Sequence, residues 1–375
     1  MRTRDLLNFV FWIRATDPMD SITRLVRPEV RALKAYHVPD SKGFVKLDAM
    51  ENPYDWPDSM VGEWLEILRG ASPNRYPDPA CEELKAALKA ANDVPSDCDL
   101  LLGNGSDEII QILLMALNPG STVMAPEPTF VMYRQIANSL GLNFVGVPLN
   151  PVDFSLELAA FTEAVVEHDP ALIFLAYPNN PTANLFDQQA IEVILKTSRG
   201  LVVVDEAYAP YASSSYMGSL ARFPQLLVMR TLSKLGLAGL RLGFLAGAPS
   251  WIGELEKLRL PYNINVLTQK SALYALSRQD VLGRQVAAIL LERTRVMQLL
   301  REIQGIHVYE SSTNFVLLRL EHHSAGMVFE QLKSRGVLIK NLDPQGGALK
   351  GCLRITIGTP EENDRFLEVF RSILA

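Results

Sequence analysis

The stretch Leu226-Leu227-Val228-Met229-Arg230-Thr231-Leu232-Ser233-Lys234-Leu235-Gly236-Leu237-Ala238-Gly239-Leu240-Arg241 joins an apolar run to a glycine-containing turn that carries a lysine and then an arginine. Four consecutive apolar residues ahead of a turn read as a strand covered on both faces, the pattern of a parallel sheet. A lysine in such surroundings is desolvated, which releases its proton more readily and frees the amine as a nucleophile. In isolation the window also fits a surface lysine at a strand end, so the neighbouring segments must decide.

Working outward, short apolar runs recur at Ser121–Ala125, Phe144–Pro148, Ala171–Ala176, Leu201–Val204 and Leu242–Ala246. Helical patterns lie among them at Asp107–Leu117, Phe130–Leu140 and Asp187–Thr197. Such alternation with short loops predicts an α/β fold whose large domain has a mostly parallel, doubly wound sheet covered by helices. After Trp251 the texture changes. A long helix over Thr268–Ile303, strands at Asn314–Arg319, Val337–Lys340 and Cys352–Ile357, a helix at Met327–Arg335 and a terminal helix from Pro360 predict a smaller α+β domain. The expected division is an N-terminal extension over 1–20, an arm over 21–46 joining the small domain, a large cofactor-binding domain over 47–262 and a small domain over 263–375. Pro261 is the expected hinge.

At 375 residues the chain exceeds the usual size of a single core. Its 48% apolar and 21% charged content describe a globular protein. A net charge of -6 gives no electrostatic case for nucleic acid or an anionic membrane surface. Cys81, Cys98 and Cys352 are too scattered for a disulfide framework, which fits a reducing cytoplasm. No apolar run approaches bilayer length. Leu6–Ile13 faintly resembles a leader, but Asp5, Asn8 and the lack of a small-residue cleavage site argue for an extension. The five histidines show no metal-ligand spacing, and no Gly-x-Ser-x-Gly elbow is present.

Open α/β sheets bind ligands at the carboxyl ends of their strands. There the chain places Tyr177-Pro178-Asn179-Asn180-Pro181-Thr182, then Asp205-Glu206-Ala207-Tyr208, then the Lys234 loop. An amide, a carboxylate with a phenol, and a lysine suit a pyridine aldehyde bearing a phenolic oxygen and a phosphate. Lys234 can form a Schiff base with the aldehyde; Asp205 would pair with the ring nitrogen and keep it cationic; Asn180 and Tyr208 can hydrogen-bond the phenolic oxygen. Thr231, Ser233 and Arg241 can hold the phosphate. Leu101–Ile109 runs from a strand through Gly103 and Gly105 into a helix opening with Ser106-Asp107, a start whose free N–H groups suit phosphate. Glu108 replaces the third glycine of a dinucleotide fingerprint, and no Gly-x4-Gly-Lys-Ser/Thr run exists. Phe130, in Pro126–Tyr133, can stack on a planar ring. Singly, Asn180 is a turn residue, Asp205 a helix cap, Ser106 an N-cap and Phe130 a core aromatic. Together they read as one site.

These words, in this order and spacing, resemble the fold-type I pyridoxal-phosphate aminotransferases from about Leu25 to the C-terminus. Leu47–Tyr54, Arg75-Tyr76-Pro77-Asp78, Arg230–Lys234 and Cys352–Gly358 are similar to the branch that acts on histidinol phosphate. The resemblance implies pyridoxal 5'-phosphate as cofactor and ping-pong amino transfer between histidinol phosphate and glutamate/2-oxoglutarate, within histidine biosynthesis. It implies catalytic roles for Lys234, Asp205 and Tyr208. Ser106, Asp107, Thr231, Ser233 and Arg241 would surround the cofactor phosphate, joined by Tyr76 from the partner of a homodimer. Arg354, Lys340, Tyr36, Asn52 and Asn314 would line the substrate pocket. No metal, nucleic acid or membrane partner is expected.

The chain departs from that family at two points. Lys234 and Arg241 are one residue closer than in many relatives, so the loop between them must turn tightly. Lys340 stands where many carry an arginine, keeping the charge but losing the bidentate fork. A phosphothreonine-type decarboxylase and a broad aromatic aminotransferase are rival readings with the same cofactor. A cofactor-binding regulator would need a DNA-recognition helix, which the N-terminal region does not show.

Overall fold

The computed structural model describes residues 18–33, 35 and 40–374. Tyr36 and most of the expected 1–20 extension lie outside the described residues. The chain begins with helices α1 (Pro18–Leu25) and α2 (Pro28–Ala32), strand β1 (Val45–Lys46), and helices α3 (Asp58–Arg69) and α4 (Glu82–Ala91). Alternation follows: β2 (Asp99–Gly103), α5 (Ser106–Met115), β3 (Thr122–Glu127), α6 (Val131–Ser139), β4 (Asn143–Pro148), α7 (Leu158–His168), β5 (Leu172–Ala176), α8 (Gln188–Thr197), β6 (Leu201–Asp205), β7 (Leu226–Thr231), β8 (Gly243–Gly247) and α9 (Pro249–Glu256). The remainder is α10 (Val266–Leu276), α11 (Gln279–Arg301), β9 (Ile306–Val308), β10 (Phe315–Leu320), α12 (Ala325–Ser334), β11 (Val337–Leu338), β12 (Lys340–Asn341), β13 (Cys352–Thr356) and α13 (Pro360–Leu374).

The central sheet has seven strands in the order β2-β8-β7-β6-β5-β3-β4. β3 through β7 pair in parallel, while β8 runs antiparallel to both β2 and β7. The predicted sheet is therefore correct in kind, with the segment expected at Leu242–Ala246 reversed. Alternation along each strand splits the apolar side chains between two cores. Leu100, Leu102, Val202, Val204 and Val228 face α4, α7, α8 and α10. Leu101, Val203, Leu227 and Met229 face α5, α6 and α9. Strands buried on both faces are apolar throughout, which is why these segments carried no polar alternation. Because β2 points the same way as β3 through β7, six strand ends meet at one edge, and β8 starts there.

A second antiparallel sheet, β12-β13-β10-β9, packs against α11, α12 and α13 through Phe315, Leu318, Ile355, Phe366 and Phe370. Two expected elements are subdivided. The long helix breaks between α10 and α11, where the Ser277 hydroxyl donates to the Tyr274 carbonyl at 2.6 Å and Arg278 leaves helical geometry (φ -112°, ψ 38°). Helix α10 packs on α3 and α4 against the central sheet, whereas α11 extends to the second core. The strand expected at Val337–Lys340 serves two partners: β11 pairs in parallel with β1, and β12 pairs antiparallel with β13.

Glu206, fully buried just beyond β6, is held by Arg230 of β7, whose Nε and Nη2 donate to Oε2 at 2.9 and 2.7 Å. The Tyr216 N–H and Ser215 hydroxyl donate to the same carboxylate, and Arg230 Nη1 donates to Asn92 Oδ1 at 3.0 Å. This cluster joins two strand ends to the end of α4. Arg230→Met strands a buried carboxylate and should lower unfolding free energy by about 3–5 kcal/mol. Urea denaturation measures this, and adding Glu206→Gln should recover part of the loss.

Candidate active site

The carboxyl edge of the central sheet gathers the groups that the sequence separated. Ser106, Asp107, Phe130, Asn180, Asp205, Tyr208, Thr231, Ser233, Lys234 and Arg241 all line one cavity, together with Met50. The expected cofactor residues on this chain thus converge, apart from Tyr76.

One end of the cavity is a cup of donors. Gly105 precedes α5 with φ +87°, a conformation that glycine adopts without strain. A Cβ there would lie 2.6 Å from Arg241 Nη2, so the missing side chain lets the guanidinium lie across the start of α5. Arg241 Nη2 donates to Asp107 Oδ2 at 3.4 Å, and Nη1 reaches Ser233 Oγ at 3.5 Å. Thr231 donates from its hydroxyl to Ser233 Oγ at 2.9 Å. The short Lys234–Arg241 spacing is met by two tight helical turns separated by Gly236 at φ 108°, with Arg241 itself left-handed at φ 49°.

Lys234 lines this cavity half-buried, and its Nζ donates to the Ala49 carbonyl at 3.3 Å. Burial, with the Arg354 charge next in weight, draws its pKa down to about 8; Glu51 acts in the opposite sense. Asp205 is also buried: the Tyr133 hydroxyl donates to Oδ2 at 2.6 Å and the Ala207 N–H to Oδ1 at 3.0 Å. Burial lifts its carboxyl to about 6 against the pull of those two hydrogen bonds. Tyr208 donates to Met50 Sδ at 3.4 Å, and burial drives its phenol well above the usual range. The cavity therefore holds an amine that deprotonates with ease and a carboxylate kept out of water, beside the face of Phe130.

The expected substrate residues sit behind this wall. Arg354 Nη1 donates to Asn180 Oδ1 at 2.7 Å and Nη2 to the Asp48 carbonyl at 3.0 Å. Lys340 stands opposite Arg354 across the β12–β13 ladder, where burial and the Arg354 charge lower its pKa. Asn314 donates to the Met50 carbonyl at 3.0 Å, and Thr356 Oγ1 accepts from the Met50 N–H. The second sheet thereby grips the segment that supplies Lys234 with its acceptor. Asn52 instead donates to Gln285 Oε1 and the Leu235 carbonyl, behind the lysine loop and away from the cavity. Tyr76 is 79% exposed, stacked on Tyr262 at 4.3 Å between ring centroids, and is absent from the cavity wall.

Three groups in this neighbourhood were not singled out by sequence. Met50 enters the wall through a positive φ of 54° that no local signal marks. Tyr211 donates to the Lys234 carbonyl at 2.7 Å. Tyr133, three residues beyond Phe130 and so on the same face of the chain's next helix, could have been found from that spacing.

The family model "Aminotransferase class I and II" matches residues 42–370. A Nitrosococcus oceani protein named histidinol-phosphate aminotransferase 2 is 51% identical over 354 residues, covering 94% of this chain and 98% of that one. A Ralstonia nicotianae protein named histidinol-phosphate aminotransferase 1 is 50% identical over 361 residues, covering 95% and 96%. The solved histidinol-phosphate aminotransferase of Sinorhizobium meliloti, in complex with pyridoxal-5'-phosphate, shares the fold: TM-score 0.82 at 24% identity, covering 93% and 98%.

An aldehyde reagent followed by borohydride trapping should label Lys234 with a midpoint near pH 8, against about 10.4 for an exposed lysine. Because Arg354 depresses this amine, Arg354→Met should move the midpoint upward; mass spectrometry of the labelled peptide measures both.

Proposed function

This chain belongs to the class I and II aminotransferases, and we propose that it moves an amino group between histidinol phosphate and 2-oxoglutarate with pyridoxal 5'-phosphate as cofactor. One observation carries the reading: a half-buried amine of lowered pKa, a buried carboxylate and a cup of phosphate donors share one cavity. Those groups fit the cofactor. The space left by Gly105 and the donors of Ser106, Thr231, Ser233 and Arg241 suit its phosphate, Asp107 buttresses Arg241, and Phe130 offers a ring face. When bound, the cofactor supplies an aldehyde for the amino group and a cationic ring that withdraws electrons.

The chain's own residues do the rest. Asp205 would hold the proton on the ring nitrogen, while Asn180 and Tyr208 would hydrogen-bond the phenolic oxygen. Lys234 would hold the aldehyde, and its neutral amine would serve as the base that moves a proton at the substrate carbon. Its lowered pKa makes the neutral amine available near physiological pH. Arg354 and Lys340 stand side by side, and two adjacent cations suit a dianionic phosphate better than a single carboxylate. That favours histidinol phosphate as the larger substrate, with the glutamate side-chain carboxylate taking the same place in the other half-reaction. Asn314 steadies this pocket through its bond to the Met50 carbonyl.

We further infer a homodimer in which Tyr76 serves the partner's phosphate cup, because this exposed ring stands clear of its own cavity. Among the described residues no helix is long and apolar enough to cross a membrane, and all three cysteines are free. Both fit a cytoplasmic setting.

Lys234→Ala should abolish turnover and the borohydride-trappable cofactor bond. Assayed with histidinol phosphate, phenylalanine, aspartate and phosphothreonine, the unaltered protein should turn over histidinol phosphate fastest, dependent on 2-oxoglutarate. Carbon dioxide release from phosphothreonine would instead mark a decarboxylase. Mixing Lys234→Ala with Tyr76→Phe subunits should give more activity than the two separately, since a hybrid dimer retains one intact site; steady-state rates of the mixture test this.

A further inference from the structure

The geometry points to Tyr133 as a positioning residue that keeps the Asp205 carboxylate ionised and aimed at the cofactor's ring nitrogen. The inference rests on the cofactor reading above. Tyr133 is fully buried in the first turn of α6. Its ring lies parallel to Phe174 of β5 at 4.3 Å between centroids, with Phe130 edge-on at 5.5 Å and 83°. Those two contacts fix the ring in its plane and across it, so the phenolic oxygen cannot wander. Its hydroxyl donates to Asp205 Oδ2 at 2.6 Å, within the short range of bonds to a charged acceptor. The Ala207 N–H serves the other carboxylate oxygen.

Removed from water, a carboxylate keeps its charge only through donors that replace the lost solvent. Around Asp205 the balance can be read group by group. Burial lifts the carboxyl to about 6, and the Asp107 and Glu206 charges push it the same way. Only the Tyr133 hydroxyl and the Ala207 N–H are drawn in the opposite sense among the leading influences. Tyr208, from the same strand end, is also buried and keeps its proton, and Lys234 faces the same cavity. Tyr133 does not itself titrate into the reaction: burial and the neighbouring Asp205 hold its phenol well above the usual range, so it stays a donor. The same Phe130 that offers a face to the ligand also braces Tyr133. The ring's resting surface and the charge at its nitrogen therefore share one aromatic support.

Tyr133→Phe removes this one oxygen and leaves the stacked ring in place. The protein is loaded with pyridoxal phosphate carrying an isotopic label at the ring nitrogen, and the nitrogen resonance is recorded by NMR. In the unaltered enzyme the signal should sit in the protonated range; in Tyr133→Phe it should move toward the unprotonated value, the proton having passed to Asp205. Turnover (kcat) should fall by about tenfold or more with KM for the amino donor little changed. Far-ultraviolet circular dichroism establishes that the variant is folded. In an Asp205→Asn background, adding Tyr133→Phe should change neither readout further. A Tyr133→Phe enzyme with an unmoved nitrogen signal and unchanged kcat overturns the inference, as does an equal loss in the Asp205→Asn background, which would mean packing alone. Failure of the unaltered protein to bind the cofactor at all overturns the underlying functional reading instead.

Discussion

Withdrawal of two opposite charges from water is the constraint on which this structure turns. Lys234 and Asp205 each stand at the end of a strand whose side chains are buried on both faces, so each strand delivers its polar terminus into an apolar surround. Desolvation pushes both toward neutrality, the amine downward and the carboxyl upward. The surrounding polar groups are arranged to check that drift unequally. Asp205 receives two hydrogen-bond donors and retains its charge, whereas Lys234 is given one carbonyl acceptor and a cationic neighbour in Arg354. An amine that readily gives up its charge and a carboxylate that keeps its own are thus produced from the same burial.

The parts of the site that sequence disclosed are those fixed by local chain geometry. Asn180, Asp205 and Lys234 follow apolar runs directly, and a strand that ends at the carboxyl edge can present its next residues nowhere else. Ser106 and Arg241 could be placed because a glycine-containing turn limits where its flanking side chains point. The less readable features depend on contacts distant in sequence. The reversal of β8 leaves its apolar pattern unchanged, since a strand covered on both faces looks alike in either direction. Asn52, grouped with the substrate residues, bonds Gln285, more than two hundred positions along the chain. The break at Ser277 rests on one hydroxyl bond to a carbonyl within an otherwise helical pattern. Tyr76 shows only that it faces away from its own cavity.

The two sheets divide the work. Groups assigned to the cofactor come from the central sheet, while Arg354, Lys340 and Asn314 come from the second sheet or its entry. They meet through short polar links: Arg354 to Asn180, Asn314 and Thr356 to Met50, and Lys234 to Ala49. Apolar contacts join the sheets as well: Tyr208 meets Phe315 edge-on at 5.2 Å between ring centroids, and Phe154 lies against Tyr309 at 4.9 Å. The seam thus combines directional bonds, which can re-form at modest cost, with packed aromatic contacts.

The antiparallel course of β8 has a geometric result for the lysine loop. Thr231 and Gly243 are partners in the β7–β8 ladder, and the Leu232 N–H donates to the Leu242 carbonyl at 2.9 Å. The chain between them is a closed ring, clamped at its base by the sheet. Lys234 and Arg241 are set on that ring like the jaws of a caliper, at a gap fixed by covalent length and not by the disposition of any second domain. A molecule gripped at both jaws is measured against a rigid gauge, so accommodation of larger or smaller partners falls to the opposite sheet.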